Sequence, residues 1–152
     1  TKIVDGTPAE LGLVGEVTKV DTEMIESLLE ENFTPVVSPL ANEIGADNGL
    51  NVNADLAAAA IAGGLNAESL IVLTDVAGIY RNFPDPTSII AEISAAELTA
   101  MKNDFKGGMA PKVAACLAAI AAGATAVRII DGNSAENLLL ALAGSGGTLV
   151  HA

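Results

Sequence analysis

At 152 residues, 51% of them hydrophobic and only 3% aromatic, the chain is long enough for one packed domain or two small lobes of Ala-rich helices on β-branched strands. Its net charge of −12 argues against a nucleic-acid surface, which needs clustered Lys and Arg, and no apolar run is long enough to span a bilayer. One cysteine, Cys116, and one histidine, His151, exclude an internal disulfide framework and a Cys/His zinc site, so no protein-held metal is expected and a reducing cytoplasm is the expected compartment.

Thr1 to Val20 reads as an irregular lead-in followed by a short strand or hairpin arm over Gly12 to Val20. Asp21 or Thr22 caps a helix whose apolar positions Met24, Ile25, Leu28 and Leu29 follow the helical period, with Glu23, Glu26, Glu30 and Glu31 as a solvated face. Thr34 to Ser38 is expected as a brief buried strand, and Pro39 to Gly49 as loop or hairpin. Ala54 to Ala62 is a strong helix by propensity, capped by Asn53 and stopped by Gly63-Gly64. Ser69 to Thr74 is an unalternating apolar run of the kind buried on both faces of a parallel sheet, and Asp75 to Gly78 turns the chain at its end.

The prolines of Phe83-Pro-Asp-Pro86 exclude regular structure. Ser94 and Glu97 form a capping box that starts a short helix to about Met101, and Lys102 to Gly108 is loop. Pro111 opens a helix to about Ala122 with Val113, Cys116, Leu117 and Ile120 on one face, ended by Gly123. Thr125 to Ile130 is a second buried strand, Ser134 caps a helix to about Ala143, and Gly147 to Val150 closes as a strand. This alternation predicts an α/β fold, a mainly parallel sheet with helices on both faces. Charge divides the chain near Asn66: eleven acids against Lys2 and Lys19 before it, eight acids against five bases after it. Two lobes, 1–66 and 67–152, are therefore expected.

Lys112 stands out because a cation in the first turn of a helix opposes the macrodipole. Here it follows Gly107-Gly108, which let a ligand approach the backbone, and a bound phosphate would reverse the sign of that interaction. A solvent-exposed lysine at a loop-to-helix junction accounts for the same residues equally well. Asp55, two residues past the Asn53 cap, is good helix-dipole chemistry by itself, and Asn51 reads locally as a turn asparagine. Thr74, Asp75 and Gly78 lie beyond the carboxyl end of a parallel strand, where ligands usually bind. Tyr80 either packs on a base or covers a sheet edge. Cys116 repeats the apolar spacing of a core position, His151 has no evident partner, and Asp131-Gly132 marks a turn.

Leu11-Gly-Leu-Val-Gly-Glu-Val17, Asn51-Val-Asn-Ala-Asp55, Leu73-Thr-Asp-Val-Ala-Gly78, Gly107-Gly-Met-Ala-Pro-Lys112, Ile129-Ile-Asp-Gly132 and Gly147-Thr-Leu-Val150, in this order, resemble the amino acid kinase superfamily and, within it, the N-acetylglutamate kinase family. The resemblance runs from about Leu11 to Val150. The Thr-Asp and Gly-Gly-Met-x-x-Lys segments are shared with glutamate 5-kinase, whereas the Asn-x-Asn-Ala-Asp and Gly-Leu-Val-Gly-Glu-Val segments favour the acetylglutamate enzymes.

The resemblance implies a truncated αβα sandwich of the amino acid kinase type. It implies transfer of a phosphoryl group from ATP, with Mg²⁺ carried on its phosphates, to the side-chain carboxylate of N-acetyl-L-glutamate in arginine biosynthesis. By motif, Lys112 would neutralise the transferring phosphoryl group and Asp55 would orient the flanking lysines. Asn51 would bind the α-carboxylate side of the acceptor, and Thr74, Asp75, Gly78, Tyr80, Gly107, Gly108 and Met109 would border the nucleotide. The family's opening segment, with glycine-rich substrate loops, a second phosphate-facing lysine and a substrate-binding arginine, has no counterpart here. The expectation is therefore a fragment that is inactive or nearly so alone, with an unpaired sheet edge, from a longer homo-oligomeric enzyme. The rival readings are a glutamate 5-kinase-like or other amino acid kinase, a stand-alone nucleotide-binding module and an assembly domain without catalysis.

Overall fold

A computed structural model describes the backbone of residues 2–4 and 7–9 and all of residues 12–152. Two small antiparallel pairs precede the main body: β1 (Lys2–Val4) with β2 (Thr7–Ala9), and β3 (Leu40–Asn42) with β4 (Gly49–Asn51). Between them lies α1 (Glu23–Glu30), which buries no residue; Asp21 Oδ1 accepts from the Glu23 amide at 3.3 Å. The rest of the expected lead-in, and Leu11 of the first motif, fall outside the described residues.

The main body is a four-stranded sheet in the order β5 (Leu70–Thr74), β7 (Ala126–Asp131), β8 (Thr148–His151), β6 (Glu92–Ser94). Two of its three pairings are parallel, β5 with β7 and β6 with β8, and β7 with β8 is antiparallel. Along β7 the side chains alternate. Val127 and Ile129 enter the core cluster with Ala59, Ala62, Val113, Cys116 and Ala119, which belong to α2 (Ala54–Gly64) and α4 (Met109–Ala121). Arg128 and Ile130 point the other way. Ile130 faces Asn137 and Leu140 of α5 (Ala135–Leu142) across a small cavity, and buried Arg128 donates to the carbonyls of Gly146 and Gly144 at 2.6 and 2.9 Å. Helices thus cover both faces of a mixed, mostly parallel sheet. Among the described residues, no helix is long and apolar enough to cross a membrane.

The capping chemistry follows the sequence. Asn53 Oδ1 accepts from the Leu56 amide at 3.0 Å, Ser94 and Glu97 form a reciprocal box at the start of α3 (Ala95–Met101), and Ser134 caps α5. Other expectations are corrected. Thr34 to Ser38 forms no strand, and Val36 is 96% exposed. Pro35 and Pro39 each lack an amide donor, and no described strand lies beside this stretch. Gly12 to Val20 makes one isolated parallel bridge, Val14 to Asn51, in place of a strand. β5 is an edge strand and not buried on both faces, with Leu73 more than half exposed. β6, only three residues directly ahead of α3, escaped the pattern reading.

Gly63-Gly64 does not stop α2. Gly63 is a buried helical residue whose missing side chain lets α2 press against α4: a Cβ there would run into the backbone carbonyl of Ala122. This contact joins the carboxyl ends of the two helices. Asp55, in the first turn of α2, lies within Coulombic reach of Cys116 in the middle of α4, so the two helices run parallel with the start of α2 beside the middle of α4. Packing therefore ties α2 to the second part of the chain, across the charge boundary near Asn66.

Candidate functional site

The chain leaves β5 at Thr74 and enters α4 at Met109 side by side, because a helix that connects parallel strands runs opposite to them and begins at their carboxyl ends. Lys112, in the first turns of α4, reaches Asp75 with Nζ to Oδ1 at 3.2 Å. The lysine side chain is only 21% exposed and the carboxylate 84%, so the cation is set into the wall and the acid stands at the rim. Thr74 Oγ1 donates to the same carboxylate oxygen at 3.0 Å and accepts from the Val76 amide at 3.1 Å, which orders the turn. The hydrogen bond from Lys112, then that from Thr74, holds the Asp75 carboxyl below its ordinary range.

Opposite this pair the backbone is bare. Gly107 has φ +57, a left-handed conformation that glycine adopts without cost, and a side chain at Gly107 or Gly108 would meet nothing within 4 Å. Gly108 provides no side-chain cap for α4, whose first turn carries no acid. The resulting cleft, of about 310 Å³, is walled by Asp75, Lys112, Gly107, Gly108, Met109 and Lys106. It adjoins a second cleft of about 420 Å³ toward Tyr80, Arg81, Asn82 and Asp104, with Phe83, Lys106, Gly107 and Met109 common to both. Tyr80 and Phe83 stack edge to face there, their ring centres 5.3 Å apart. Of the five bases after Asn66, three (Arg81, Lys106 and Lys112) line these joined clefts. In so acidic a chain that concentration makes an anion the fitting occupant.

The structure brings Asp75, Gly107, Gly108, Met109 and Lys112 together, with Tyr80 next door and Thr74 behind Asp75. Gly78 lines neither cleft. It is buried, and a Cβ there would come within 2.6 Å of Thr148 Oγ1, the hydroxyl that takes the Ile79 amide at 2.8 Å and donates to the Ile90 carbonyl at 2.6 Å. Gly78 thus shapes the turn behind the site. Asp55 is half-buried at the start of α2, near Cys116, which lies one turn beyond Lys112 on the same face of α4. Burial, with a contribution from Asp55, pushes the Cys116 thiol up to about 12, as its reading as a core residue requires. Asn51 ends β4, exposed, with its amide given to the Leu13 carbonyl and its own carbonyl taking the Gly15 amide. His151 pairs with Glu92 at 3.7 Å, away from the clefts.

Lys106, Phe83 and Arg81 were not singled out from the sequence. A lysine directly before Gly-Gly was the available signal for the first; the second hid in a proline-rich stretch. Among the described residues, no group of three or more His, Cys, Asp or Glu side chains is gathered to hold a metal ion.

The amino acid kinase family model matches residues 1–131. The acetylglutamate kinase of Streptomyces coelicolor is 44% identical over 137 residues, which cover 90% of this chain and 45% of that protein. That of Beutenbergia cavernae is 47% identical over 139 residues, 91% of this chain and 45% of that protein. The chain therefore spans just under half the length of the curated relatives it matches. Among solved structures it superposes on N-acetylglutamate synthase from Neisseria gonorrhoeae, complexed with coenzyme A and N-acetyl-glutamate, with a TM-score of 0.84 at 28% identity over 99% of this chain and 34% of that one. Carbamate kinase from Giardia lamblia bound to AMP-PNP gives a TM-score of 0.69 at 28% identity over 84% of this chain and 43% of that one.

Proposed function

The chain belongs to the amino acid kinase family, and on that premise we propose that it carries the nucleotide half of an acetylglutamate kinase. The reaction is transfer of the terminal phosphoryl group of MgATP to the side-chain carboxylate of N-acetyl-L-glutamate, an early step in arginine biosynthesis. A carboxylate oxygen forms the new bond to phosphorus, and the bond to the bridging oxygen breaks with its electron pair leaving on ADP. The observation that carries this reading is Lys112, set into the start of α4 opposite two glycines whose backbone is open to a ligand.

Such catalysis is positioning and charge neutralisation, since the transferring group spreads negative charge over its outer oxygens. Lys112 neutralises that charge, and the open backbone of Gly107 and Gly108 with the amides of the first turn of α4 cradles the phosphates. In the free protein Asp75 holds the lysine in place, and an arriving phosphate competes for the same ammonium. The Tyr80–Phe83 pair offers an apolar wall for the base. Mg²⁺ comes with the nucleotide, held by phosphate oxygens; it would supply further neutralisation of the polyphosphate. Asp55 orients the cations from the neighbouring helix start, and Asn51 belongs to the acceptor side. Residues 1–66 contribute part of the acceptor lobe and 67–152 the nucleotide lobe, with α2 as the seam between them.

The chain alone binds MgATP and transfers its phosphoryl group slowly or not at all. Its first part offers only Lys2 and Lys19 beside a dicarboxylate and a polyphosphate. The longer enzyme is read as a cytoplasmic homo-oligomer, a reading supported by the free thiol of Cys116 and by exposed Leu139 and Leu142 on α5. Calorimetric titration with MgATP, followed by a coupled ADP-release assay with N-acetylglutamate on this chain and on a form extended to the relatives' length, tests the reading. Absence of MgATP binding sinks it altogether; an extended form that binds ATP but ignores N-acetylglutamate sinks the acceptor assignment.

A further inference from the structure

Lys106 is a cation to which the reading above gives no task, as is Arg81, whose guanidinium donates to the Met101 sulfur at 3.6 Å. Lys106 lines both clefts. Unlike Lys112, which Asp75 holds, it makes no ion pair among the described residues, although the chain carries a net charge of −12. Its backbone is fixed on both sides: Phe105 before it and Met109 after it are core residues, and the Lys106 carbonyl accepts from the Met109 amide at 3.3 Å. The left-handed turn at Gly107 follows at once. A tethered base with a free, exposed ammonium at the junction of two cavities is well placed for a ligand that occupies both.

The chemistry of the walls orders such a ligand. Lys112 closes the first cleft, and the Tyr80–Phe83 edge-to-face pair lies at the second. Asp104, also in the second cleft, repels phosphate and accepts hydrogen bonds from hydroxyls. The second cleft carries Arg81 and Asp104, of opposite charge, whereas Lys112 and Lys106 both line the first, so the ligand's negative charge is placed at the two lysines, with a flat ring toward the aromatic pair.

We propose that Lys106 is a nucleotide-anchoring residue that binds the phosphates that are not transferred, and so recognises nucleoside di- and triphosphates alike. This rests on the nucleotide reading of the same clefts. An anchor of this kind strengthens the ground-state complex with ADP and ATP equally, whereas Lys112 acts on the transferring group. Lys106→Ala should weaken MgATP and MgADP binding by about tenfold each and leave adenosine binding unchanged, and Lys106→Arg should recover most of the loss, because a charge-assisted contact to phosphate is worth that much and either cation supplies it. Calorimetry of wild type and both variants against the three ligands reads this out directly. Unchanged MgATP affinity in Lys106→Ala, or an equal loss for adenosine and MgATP, overturns the anchoring role while the nucleotide reading stands. A wild-type chain that binds neither MgATP nor MgADP overturns both.

Discussion

Helices α2 and α4 pack in parallel, and their first turns are built on opposite plans. The start of α2 satisfies itself: Asn53 accepts from the Leu56 amide, and Asp55 places a negative charge against the helix dipole. The start of α4 does neither. Gly108 offers no side chain, the first turn has no acid, and the nearby charge is the cation of Lys112. A helix start that closes its own hydrogen bonds is complete without a ligand. One left open, backed by a lysine and facing a cleft, has donors and charge free for an anion, as the proposed function requires.

The largest expected effect tests the close packing of the two helices. Gly63→Ala drives a methyl group into the Ala122 carbonyl, so it should cost about 3 kcal/mol or more and show as a collapse of the thermal unfolding midpoint. A midpoint within a few degrees of wild type would mean that α2 and α4 are not in such close contact.

The next two predictions oppose each other. Lys112→Ala should weaken MgATP binding by at least about tenfold and cost little stability, since the solvent-screened pair it makes with exposed Asp75 is offset by the dipole of its own helix. Asn53→Ala should cost about 1 kcal/mol of stability and leave MgATP affinity alone, since it removes a cap. Calorimetry and denaturant unfolding of both variants would break the comparison if the effects were exchanged or shared.

The smallest effect is on pH. The Asp75 carboxyl is held below its ordinary range chiefly by Lys112, so the pairing is present above the unfolded-state pKa of about 3.9 and is lost as pH falls through the lower folded value. In Lys112→Ala the carboxyl titration of Asp75, followed by carbon-13 NMR, should move up toward the unfolded value. A midpoint that stays put would show that the 3.2 Å contact does not persist in solution.

Much of this was legible in the chain. The strands at Leu70 to Thr74, Ala126 to Asp131 and Thr148 to His151, and the caps at Asn53, Ser94 and Ser134, follow from local chemistry, because β-branched runs and side-chain hydrogen bonds act over a few residues. Gly107 to Lys112 was legible as an open, lysine-bearing helix start for the same reason, with an anion site and a plain loop-to-helix junction equally open from the sequence. Gly63 was misread, since a glycine near the end of a helix gives one signal whether it stops the helix or admits a neighbour. Val36 and Val37 look like core until their flanking prolines and the lack of a partner strand are weighed. Phe83 carries no local anomaly and Lys106 only its place before Gly107-Gly108, and both matter because the loop before α4 folds beside the turn after β5.

The sequence by itself determined the alternation of elements, the helix starts and the odd lysine, all of which depend on hydrogen bonds and dipoles within a turn or two of the residue concerned. Tertiary structure alone decided that Lys112 meets Asp75, that α2 and α4 pack in parallel, and that three cations of an acidic chain converge on one pair of clefts. Those outcomes follow from parallel strand pairing and from the close contact at Gly63, which join residues tens of positions apart and leave no periodic trace in the chain.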